Sequence, residues 1–136
     1  MFIKITVQTR SKVDIIDITE KVQHTVRDSG VEEGICFLYC PHTTAGIVLN
    51  ENWDPSVEKD VAMALEHMVP DDLSFTHSEG NSPAHIKSIL LGSDHFIFIH
   101  HHRLEVGQWQ GIFLAEFDGP RHRTIWVKVS QDVVSA

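Results

Sequence analysis

The chain has 136 residues, of which 42% are hydrophobic and 22% are charged, so it fits one globular domain and excludes a largely disordered chain. Its formal net charge of −8 argues against nucleic acids and anionic membranes as partners, because Lys and Arg dominate phosphate binding. The sequence shows no apolar run long enough to span a membrane and no leader after Met1, so we expect a cytoplasmic protein.

Alternation and helical periodicity predict the first elements in chain order. Residues 1–9 alternate between apolar and polar side chains, which predicts a strand. Residues 17–29 repeat apolar side chains every four positions, which predicts a helix with Thr19 as its N-cap. The apolar runs at 34–40 and 45–50 predict two further strands, and a short polar turn separates them.

The second half of the chain is predicted to contain two helices and three strands. Asp54 is expected to cap a helix that ends at Pro70, and Ser82 with Pro83 is expected to open another at 84–91. The later strands are predicted at 95–100, 111–117 and 123–130. Tight turns between neighbouring strands favour antiparallel pairing. We therefore expect a single α+β domain over 1–136, with mainly antiparallel, sandwich-like sheets and about three helices.

The two cysteines, Cys36 and Cys40, lie four residues apart in one predicted strand. Their Cα atoms would then be about 13 Å apart, which is too far for a disulfide. Two buried free thiols in a reducing compartment are the expectation. A reactive thiol at Cys40, next to Pro41 and His42, is the alternative.

Histidine is the unusual component, because the chain has ten histidines and a single tyrosine. The densest polar segment runs from His77 to His85 through Gly80 and into a predicted helix. A helix start offers unpaired N–H groups to an anion, and a glycine turn can bring the two imidazoles together. Two imidazoles need further ligands to form a metal site. A polar surface loop in front of an ordinary capped helix is the alternative.

A second candidate site is the turn at 41–46, where His42 stands beside Thr43 and Thr44 between two apolar strands. This combination can ligate a metal, move protons or bind phosphate. A turn in which the threonine hydroxyls satisfy backbone groups is the alternative.

A third candidate is the segment 107–123, where Arg121 and Arg123 flank a histidine in an otherwise acidic chain. Arginine suits bidentate binding of phosphate or carboxylate, although a solvated hairpin tip explains the same residues. Trp109 in this segment is either a stacking platform or, more commonly, a core or interface aromatic.

The run of His100, His101 and His102 ends a predicted apolar strand. Adjacent strand residues point to opposite faces, so these three side chains are not expected to bind one ion. We predict a turn or a subunit contact here and leave the run outside the site.

Three sequence blocks together resemble the YjbQ-like family, whose members are commonly labelled secondary thiamine-phosphate synthases. The blocks are PHTTAGIVLNEN, H-x-EGN-x-x-AHIK-x-x-LLG and G-x-WQGIFLAEFDGPR-x-R. The resemblance implies a small cytoplasmic α+β homotrimer with its polar motifs near subunit interfaces. It also implies weak thiamine-phosphate synthase activity, which joins a hydroxymethylpyrimidine diphosphate to a thiazole phosphate and releases pyrophosphate. The chain departs from the family pattern at the histidine run and at Gln108.

These observations lead to the hypothesis of an enzyme that acts on a phosphorylated small molecule, with a divalent metal, zinc or magnesium, as the expected cofactor. The expected metal ligands are His42, His77 and His85, which are the histidines inside the family blocks. The expected catalytic residues are Glu79, His77 and Arg121. The residues expected to bind substrate or phosphate are Thr43, Thr44, Asn50, Asn81, Ser82, Lys87, Trp109, Gln110, Arg121 and Arg123. A non-catalytic trimeric module that binds a metabolite or metal is the alternative.

Overall fold

A computed structural model of the protein describes residues 1–133. The strands in this part of the chain are β1 Phe2–Gln8, β2 Asp14–Asp17, β3 Gly34–Tyr39, β4 Ala45–Glu51, β5 Asp94–His100, β6 Arg103–Leu104, β7 Gln110–Glu116 and β8 His122–Gln131. The helices are α1 Thr19–Ser29, α2 Ser56–Met68 and α3 Ser82–Leu91. None of these helices is long and apolar enough to cross a membrane.

The strands form two sheets, one of five strands in the order β1-β8-β3-β5-β6 and one of three strands in the order β2-β7-β4. Every pairing among the described strands is antiparallel. The predicted α+β class with antiparallel sheets and three helices is therefore confirmed. The sequence did not reveal β2 and β6, because segments of four and two residues are too short for alternation to be recognised.

The main core lies where the two sheets face each other, with α1 packed into the same apolar volume. Ile47 and Leu114 enter it from the three-stranded sheet, Leu38 and Val127 from the five-stranded sheet, and Val22 from α1. Each is fully or almost fully buried. Burial of one such side chain stabilises the fold by about 1.5–3 kcal/mol before the cost of lost chain entropy.

A second, smaller core covers the other face of the three-stranded sheet. Leu65 of α2 and Ala84 of α3 pack there with Phe117, which follows β7 directly. The molecule is thus layered as sheet, sheet and helices. This arrangement explains why β7 is buried along nearly its whole length: both of its faces meet apolar layers.

The outer face of the five-stranded sheet carries six aromatic rings, which we call the aromatic face. It consists of Phe2, Phe37, Tyr39, Phe96, Phe98 and Trp126. Phe96 and Phe98 are each 58% exposed. Aromatic rings in neighbouring strands pair with one another, as Tyr39 stacks on Trp126 at 5.6 Å between ring centroids.

The first helix starts differently from the prediction. Ile18 occupies the N-cap position of α1, and Thr19 is the first helical residue, so the prediction of Thr19 as N-cap is wrong. The Asp17 carboxylate accepts hydrogen bonds from both the N–H and the hydroxyl of Thr19, at 2.9 and 2.6 Å. This carboxylate therefore supplies the acceptor that a capping side chain usually provides.

The starts of the other two helices agree more closely with the sequence. Asp54 accepts a hydrogen bond from the N–H of Ser56 at 2.9 Å, so it serves the first turn of α2 as expected, although Pro55 occupies the formal cap position. Pro83 lies in the first turn of α3, and Gly92 ends that helix.

Both cysteines are free and buried, as predicted. Burial raises the pKa of Cys36 to about 12 and also raises the pKa of Cys40. The thiol of Cys40 donates a hydrogen bond to the carbonyl of Ala45 at 3.5 Å. A thiol with a raised pKa is a poor nucleophile at neutral pH, which disfavours the alternative of a reactive Cys40.

Candidate functional site

Helix α3 is fixed closely onto β4, and this contact positions the histidine that α3 carries. The hydroxyl of Ser88 donates to the carbonyl of Ala45 at 2.7 Å, and the N–H of Ile47 donates to the carbonyl of Gly92 at 3.2 Å. A Cβ on Gly46 would lie only 2.8 Å from the carbonyl oxygen of Gly92, so the close approach requires glycine. His85 consequently occupies a defined place beside the turn that precedes β4.

The three histidines of the family blocks lie along one surface, which we call the histidine cleft. His42, Thr43 and His85 line a cavity of about 550 Å³. His77 packs edge-on against His85 with 5.3 Å between ring centroids, and these two residues line a second, more open cavity of about 860 Å³. His85 therefore borders both cavities. The predicted convergence of His77 and His85 is present in the structure.

His42 is arranged as a hydrogen-bond donor. Its Nε2 accepts the backbone N–H of Thr124 at 2.9 Å, so the proton of the neutral ring is on Nδ1. Burial, followed by the cation of Arg123, lowers the pKa of His42 below its ordinary value of 6.5. A metal ligand needs an unprotonated nitrogen with a free lone pair, and here neither nitrogen offers one. This geometry disfavours the predicted metal role of His42 and leaves its Nδ1–H without an acceptor among the described residues.

A buried ion pair between Glu116 and Arg123 supports the cleft from below. The guanidinium of Arg123 donates to both carboxylate oxygens of Glu116 and, at 2.7 Å, to the hydroxyl of Thr44. Thr9 donates to the same carboxylate at 2.8 Å. Burial alone would raise the pKa of Glu116, but the hydrogen bonds from Arg123 and Thr9 and the N–H of Asp118 hold it below its ordinary range.

This ion pair corrects two predictions. Arg123 and Thr44 are buried, and their polar groups are engaged with Glu116 and with each other, so they do not face a phosphate in the cleft. They instead fix the turn that carries His42 and Thr43. Uncompensated buried charge is costly, which explains why every carboxylate oxygen of Glu116 has a donor.

A second polar group joins the start of α3 to the turn after β7. Asn81 and Arg121 both donate to the same carboxylate oxygen of Asp118, at 2.9 and 3.1 Å. Burial tends to raise the pKa of Asp118, but these hydrogen bonds lower it below its usual value. The structure therefore brings together the predicted pair Asn81 and Arg121, with Asp118 between them.

The single side-chain oxygen of Asn81, Oδ1, is buried and finds no hydrogen-bond partner within residues 1–133. A buried acceptor without a donor is unfavourable by about 1–3 kcal/mol. Because the amide nitrogen of Asn81 is directed at Asp118, Oδ1 is the polar atom of this side chain that stays unsatisfied, and Asn81 is not among the residues that line either cavity.

The remaining predicted residues of this region divide into exposed and buried ones. Ser82 lines the open cavity with His77 and His85. Glu79 is exposed on the preceding turn, and its carboxylate makes no hydrogen bond with the described residues, so its catalytic role stays a prediction. Lys87 is buried and donates to the half-exposed Glu66 at 2.6 Å, so its ammonium group serves this ion pair and not the predicted phosphate contact.

Three predicted substrate residues, Asn50, Trp109 and Gln110, lie at the opposite end of the three-stranded sheet. The register of β4 and β7 pairs Ala45 with Glu116 at the cleft end. Glu51 and Gln110 pair at the other end. Six residues of strand correspond to about 20 Å. Within one chain, therefore, this end does not join the histidine cleft.

Side chains at that far end are engaged locally. Trp109 packs edge-on against Trp53 at 5.8 Å between ring centroids. The side-chain oxygen of Gln110 accepts the N–H of Gly107 at 2.7 Å. Trp53 is 77% exposed and Trp109 is 49% exposed. The tryptophan pair thus forms an aromatic surface and not part of the core.

Two residues that support the cleft were not among the predicted site residues. Glu116 carries a visible signal, because it is a single acid inside the apolar run GIFLAEF, and a buried acid needs a cationic partner. Thr9 carries none, because a threonine at the end of an alternating strand looks like a surface residue. The run at His100 forms the predicted turn, since His101 and His102 connect β5 to β6.

The sequence and the structure both match known proteins. The family described as UPF0047 protein YjbQ-like matches residues 3–132. The UPF0047 protein of Methanocaldococcus jannaschii is 47% identical over 132 residues, which cover 97% of this chain and 96% of that protein. The UPF0047 protein YugU of Bacillus subtilis is 41% identical over 124 residues, which cover 90% of this chain and 94% of YugU.

Solved structures with the same fold come from bacteria and archaea. An uncharacterised conserved protein of the YjbQ/UPF0047 family from Clostridium acetobutylicum matches with a TM-score of 0.92 and 45% identity, covering 94% of this chain and 99% of that one. A YbjQ-like protein of unknown function from Sulfolobus solfataricus also gives a TM-score of 0.92, with 32% identity and 97% of each chain covered.

Proposed function

The chain belongs to the YjbQ-like UPF0047 family, as its sequence blocks predicted, and on this basis we propose that it is an enzyme acting on phosphorylated small molecules at the histidine cleft. The observation that carries the proposal is the arrangement around His85. This residue borders one cavity with His42 and another with His77. The partnerless Oδ1 of Asn81 lies at the start of the helix that carries His85.

Two donors have a chemical use in this proposal, one in the cleft and one at the turn after β7, beside the start of α3. The Nδ1–H of His42 donates to a phosphate oxygen, and the half-exposed guanidinium of Arg121 neutralises its charge. Because these groups are held by Thr124 and Asp118, they meet the substrate with little loss of side-chain freedom.

His77 and His85 are the residues that fit a metal ion. Two imidazoles bound to one tetrahedral zinc have ring centres about 5 Å apart, by the usual zinc–nitrogen distances. The two rings lie 5.3 Å apart and nearly perpendicular. Imidazole nitrogen suits zinc better than magnesium, which prefers oxygen ligands. A divalent cation bound there would supply positive charge next to a leaving phosphate or pyrophosphate.

More specifically, we propose that the reaction is a transfer of the thiamine-phosphate synthase type, which the family resemblance implies. The ring nitrogen of a thiazole phosphate forms a bond to the methylene carbon of hydroxymethylpyrimidine diphosphate. The bond from this carbon to oxygen breaks, and pyrophosphate leaves with the electron pair. Arg121 and the donor at His42 stabilise the charge that develops on the leaving oxygen.

We also propose a cytoplasmic homotrimer that buries the aromatic face. Six aromatic rings on one sheet face, five of them at least 45% exposed, form the kind of apolar patch that marks an interaction surface. Tyr39 belongs to this face and also lines the cavity with His42 and His85, so a neighbouring copy would border the cleft. Assembly would also offer a route for the Trp109 end of another copy to approach the cleft. The buried free thiols suit a reducing compartment.

The test is pyrophosphate release and thiamine phosphate formation by tag-free protein, together with a panel of other phosphorylated substrates. We expect His85→Ala to lose turnover by about a hundredfold or more. His67→Ala is the matched control, because His67 is exposed near the end of α2 and outside the cleft. Unchanged turnover in His85→Ala would refute the site. Saturable binding without turnover across the panel would instead indicate that the protein is a non-catalytic binding module.

A further inference from the structure

A second group of potential metal ligands lies where β5 turns into β6, beside the start of β3. Oε2 of Glu33 is 2.8 Å from Nδ1 of His100, and Oε1 of Glu33 is 3.8 Å from Nδ1 of His101. One ligand atom from each residue lies within 4.8 Å of the others. Antiparallel pairing of Gly34 with Ile99 brings the three residues together. They are the only such trio of histidine, cysteine or acidic residues within residues 1–133.

The backbone of the turn is strained. His100 pairs with Arg103, so His101 and His102 form a two-residue hairpin turn, and their φ angles are +51° and +64°. Turns with two positive φ angles favour Asn-Gly, because most side chains clash in this conformation. Strain of this kind commonly persists where a side chain has a function.

Hydrogen bonds from neighbouring segments hold the strained turn in place. The N–H of His101 donates to Oε1 of Glu33 at 3.2 Å, and the N–H of His102 donates to the carbonyl of Glu32 at 3.0 Å. The side chain of Gln23 on α1 donates to the carbonyl of His102 at 3.1 Å. The imidazole of His101 is therefore presented on a fixed backbone next to Glu33 and His100.

We propose that Glu33, His100 and His101 form a binding site for a divalent transition metal ion such as zinc. Two imidazole nitrogens and one carboxylate oxygen are a usual zinc ligand set, and water completes the coordination. Neighbouring nitrogen and oxygen ligands of tetrahedral zinc lie about 3.3 Å apart. Oε2 of Glu33 is 2.8 Å from His100 and Oε1 is 3.8 Å from His101, so each carboxylate oxygen lies near this distance from one imidazole, and ligand atoms of all three residues lie within 4.8 Å of one another. All three side chains are exposed enough for an ion to enter.

The charges around the trio favour a cation. Glu32 and Glu105 lie near His100 and add negative potential to that of Glu33. The hydrogen bond that His100 donates to Glu33 raises the pKa of His100, and a bound metal would take the place of the proton between them. His101 is the other titratable group facing this carboxylate. Zinc binding should therefore weaken as the pH falls and protons compete for the imidazoles.

The test is zinc titration of the tag-free full chain against a chromogenic chelator at about pH 7.5, above the ordinary histidine pKa. His101→Asn is the key variant, because asparagine tolerates a positive φ and the turn should still fold. We expect its zinc affinity at this site to fall by about tenfold or more. Glu33→Gln should show a similar loss. Without metal, His101→Asn should unfold at the same temperature as the wild type or higher.

Two further variants separate this site from the histidine cleft. His85→Ala removes metal from the cleft and should leave the zinc bound by Glu33, His100 and His101 unchanged. His24→Gln is the matched control, because His24 is an exposed histidine on α1 and lies outside the trio. Equal zinc affinity and stoichiometry in the wild type, His101→Asn and Glu33→Gln would overturn the proposal. Loss of all bound zinc in His85→Ala would overturn it as well.

Discussion

The histidine cleft and the turn formed by His101 and His102 after β5, which we call the histidine turn, place histidines in different electrostatic surroundings. Below the cleft, the buried pair of Glu116 and Arg123 fixes the backbone, and burial lowers the pKa of His42. At the turn, the exposed carboxylate of Glu33 contacts His100 and raises its pKa. The environment therefore makes one histidine a neutral hydrogen-bond donor and the other a group that gains a proton easily. The difference shows that a count of histidines says little about what each of them does.

The largest effect on stability is expected from removing the buried cation of the ion pair that supports the cleft. Arg123→Met leaves the Glu116 carboxylate buried without its cation, so the free energy of unfolding should fall by about 3–5 kcal/mol. Urea denaturation measures this change. Arg121→Met is the control, because its pair with Asp118 is half exposed, and breaking it should cost no more than about 1 kcal/mol. If both variants lose equally little stability, the ion pair does not support the cleft.

A smaller loss of stability is expected when the contact between α3 and β4 is disturbed. Gly46→Ala places a methyl group against the carbonyl of Gly92, so we expect a loss of about 1–3 kcal/mol in urea denaturation. Displacement of α3 should also reduce turnover at the cleft. Gly107→Ala is the matched control, since its new methyl group meets only the flexible end of Gln110. Equal stability of the two variants would mean that α3 is not held tightly.

The pH dependence of His42 tests its neutral state. Its pKa is lower in the folded chain than the ordinary 6.5, so the unfolded chain binds the proton first as the pH falls. The contribution of His42 to stability is then present above about pH 6.5 and is lost below it. Wild type should lose more stability than His42→Gln between about pH 8 and about pH 5.5. Urea midpoints at both pH values provide the comparison, and identical losses would contradict it.

The smallest effect is expected at the histidine turn. Here stability is lost as the pH rises, whereas at His42 it is lost as the pH falls. The pKa of His100 is raised from 6.5 and that of Glu33 is lowered from 4.5. The stabilising contribution of the pair is therefore fully present between about pH 4.5 and about pH 6.5, and it fades as rising pH deprotonates His100. His100→Gln should be less stable than wild type at about pH 5.5 and closer to it at about pH 8.5. Metal-free thermal unfolding at the two pH values can show whether this order holds.

Much of the fold was predictable because alternation and periodicity directly report which faces are buried. Residues 1–9 and 123–130 alternate, and they pair as β1 and β8. The cleft was partly predictable, because Gly80 and the start of α3 bring His77 next to His85. Burial of the two cations was not predictable: Arg123 and Lys87 carry no sign of it in the sequence, and only the tertiary structure reveals Glu116 and Glu66 beside them.

Two further features depend on information that a single sequence does not contain. The distance between the Trp109 end and the cleft follows from the register of β4 and β7, which local patterns do not specify. The proximity of His100 and His101 follows from a positive φ at His101, whereas the strand rule assumed an extended backbone. Their neighbour Glu33 is distant in sequence and is brought near by pairing of β3 with β5.

The close contact at Gly46 has a consequence for which segments of this protein tolerate changes in sequence. His42 and His85 stand on parts of the scaffold that resist movement, whereas nine of the ten residues from 71 to 80 are exposed. That exposed segment carries His77 and borders the open cavity. Exposed connections tolerate substitution and insertion far better than packed elements. Under the proposed function, randomising 71–76 should therefore change which substrates bind while the packed scaffold still folds.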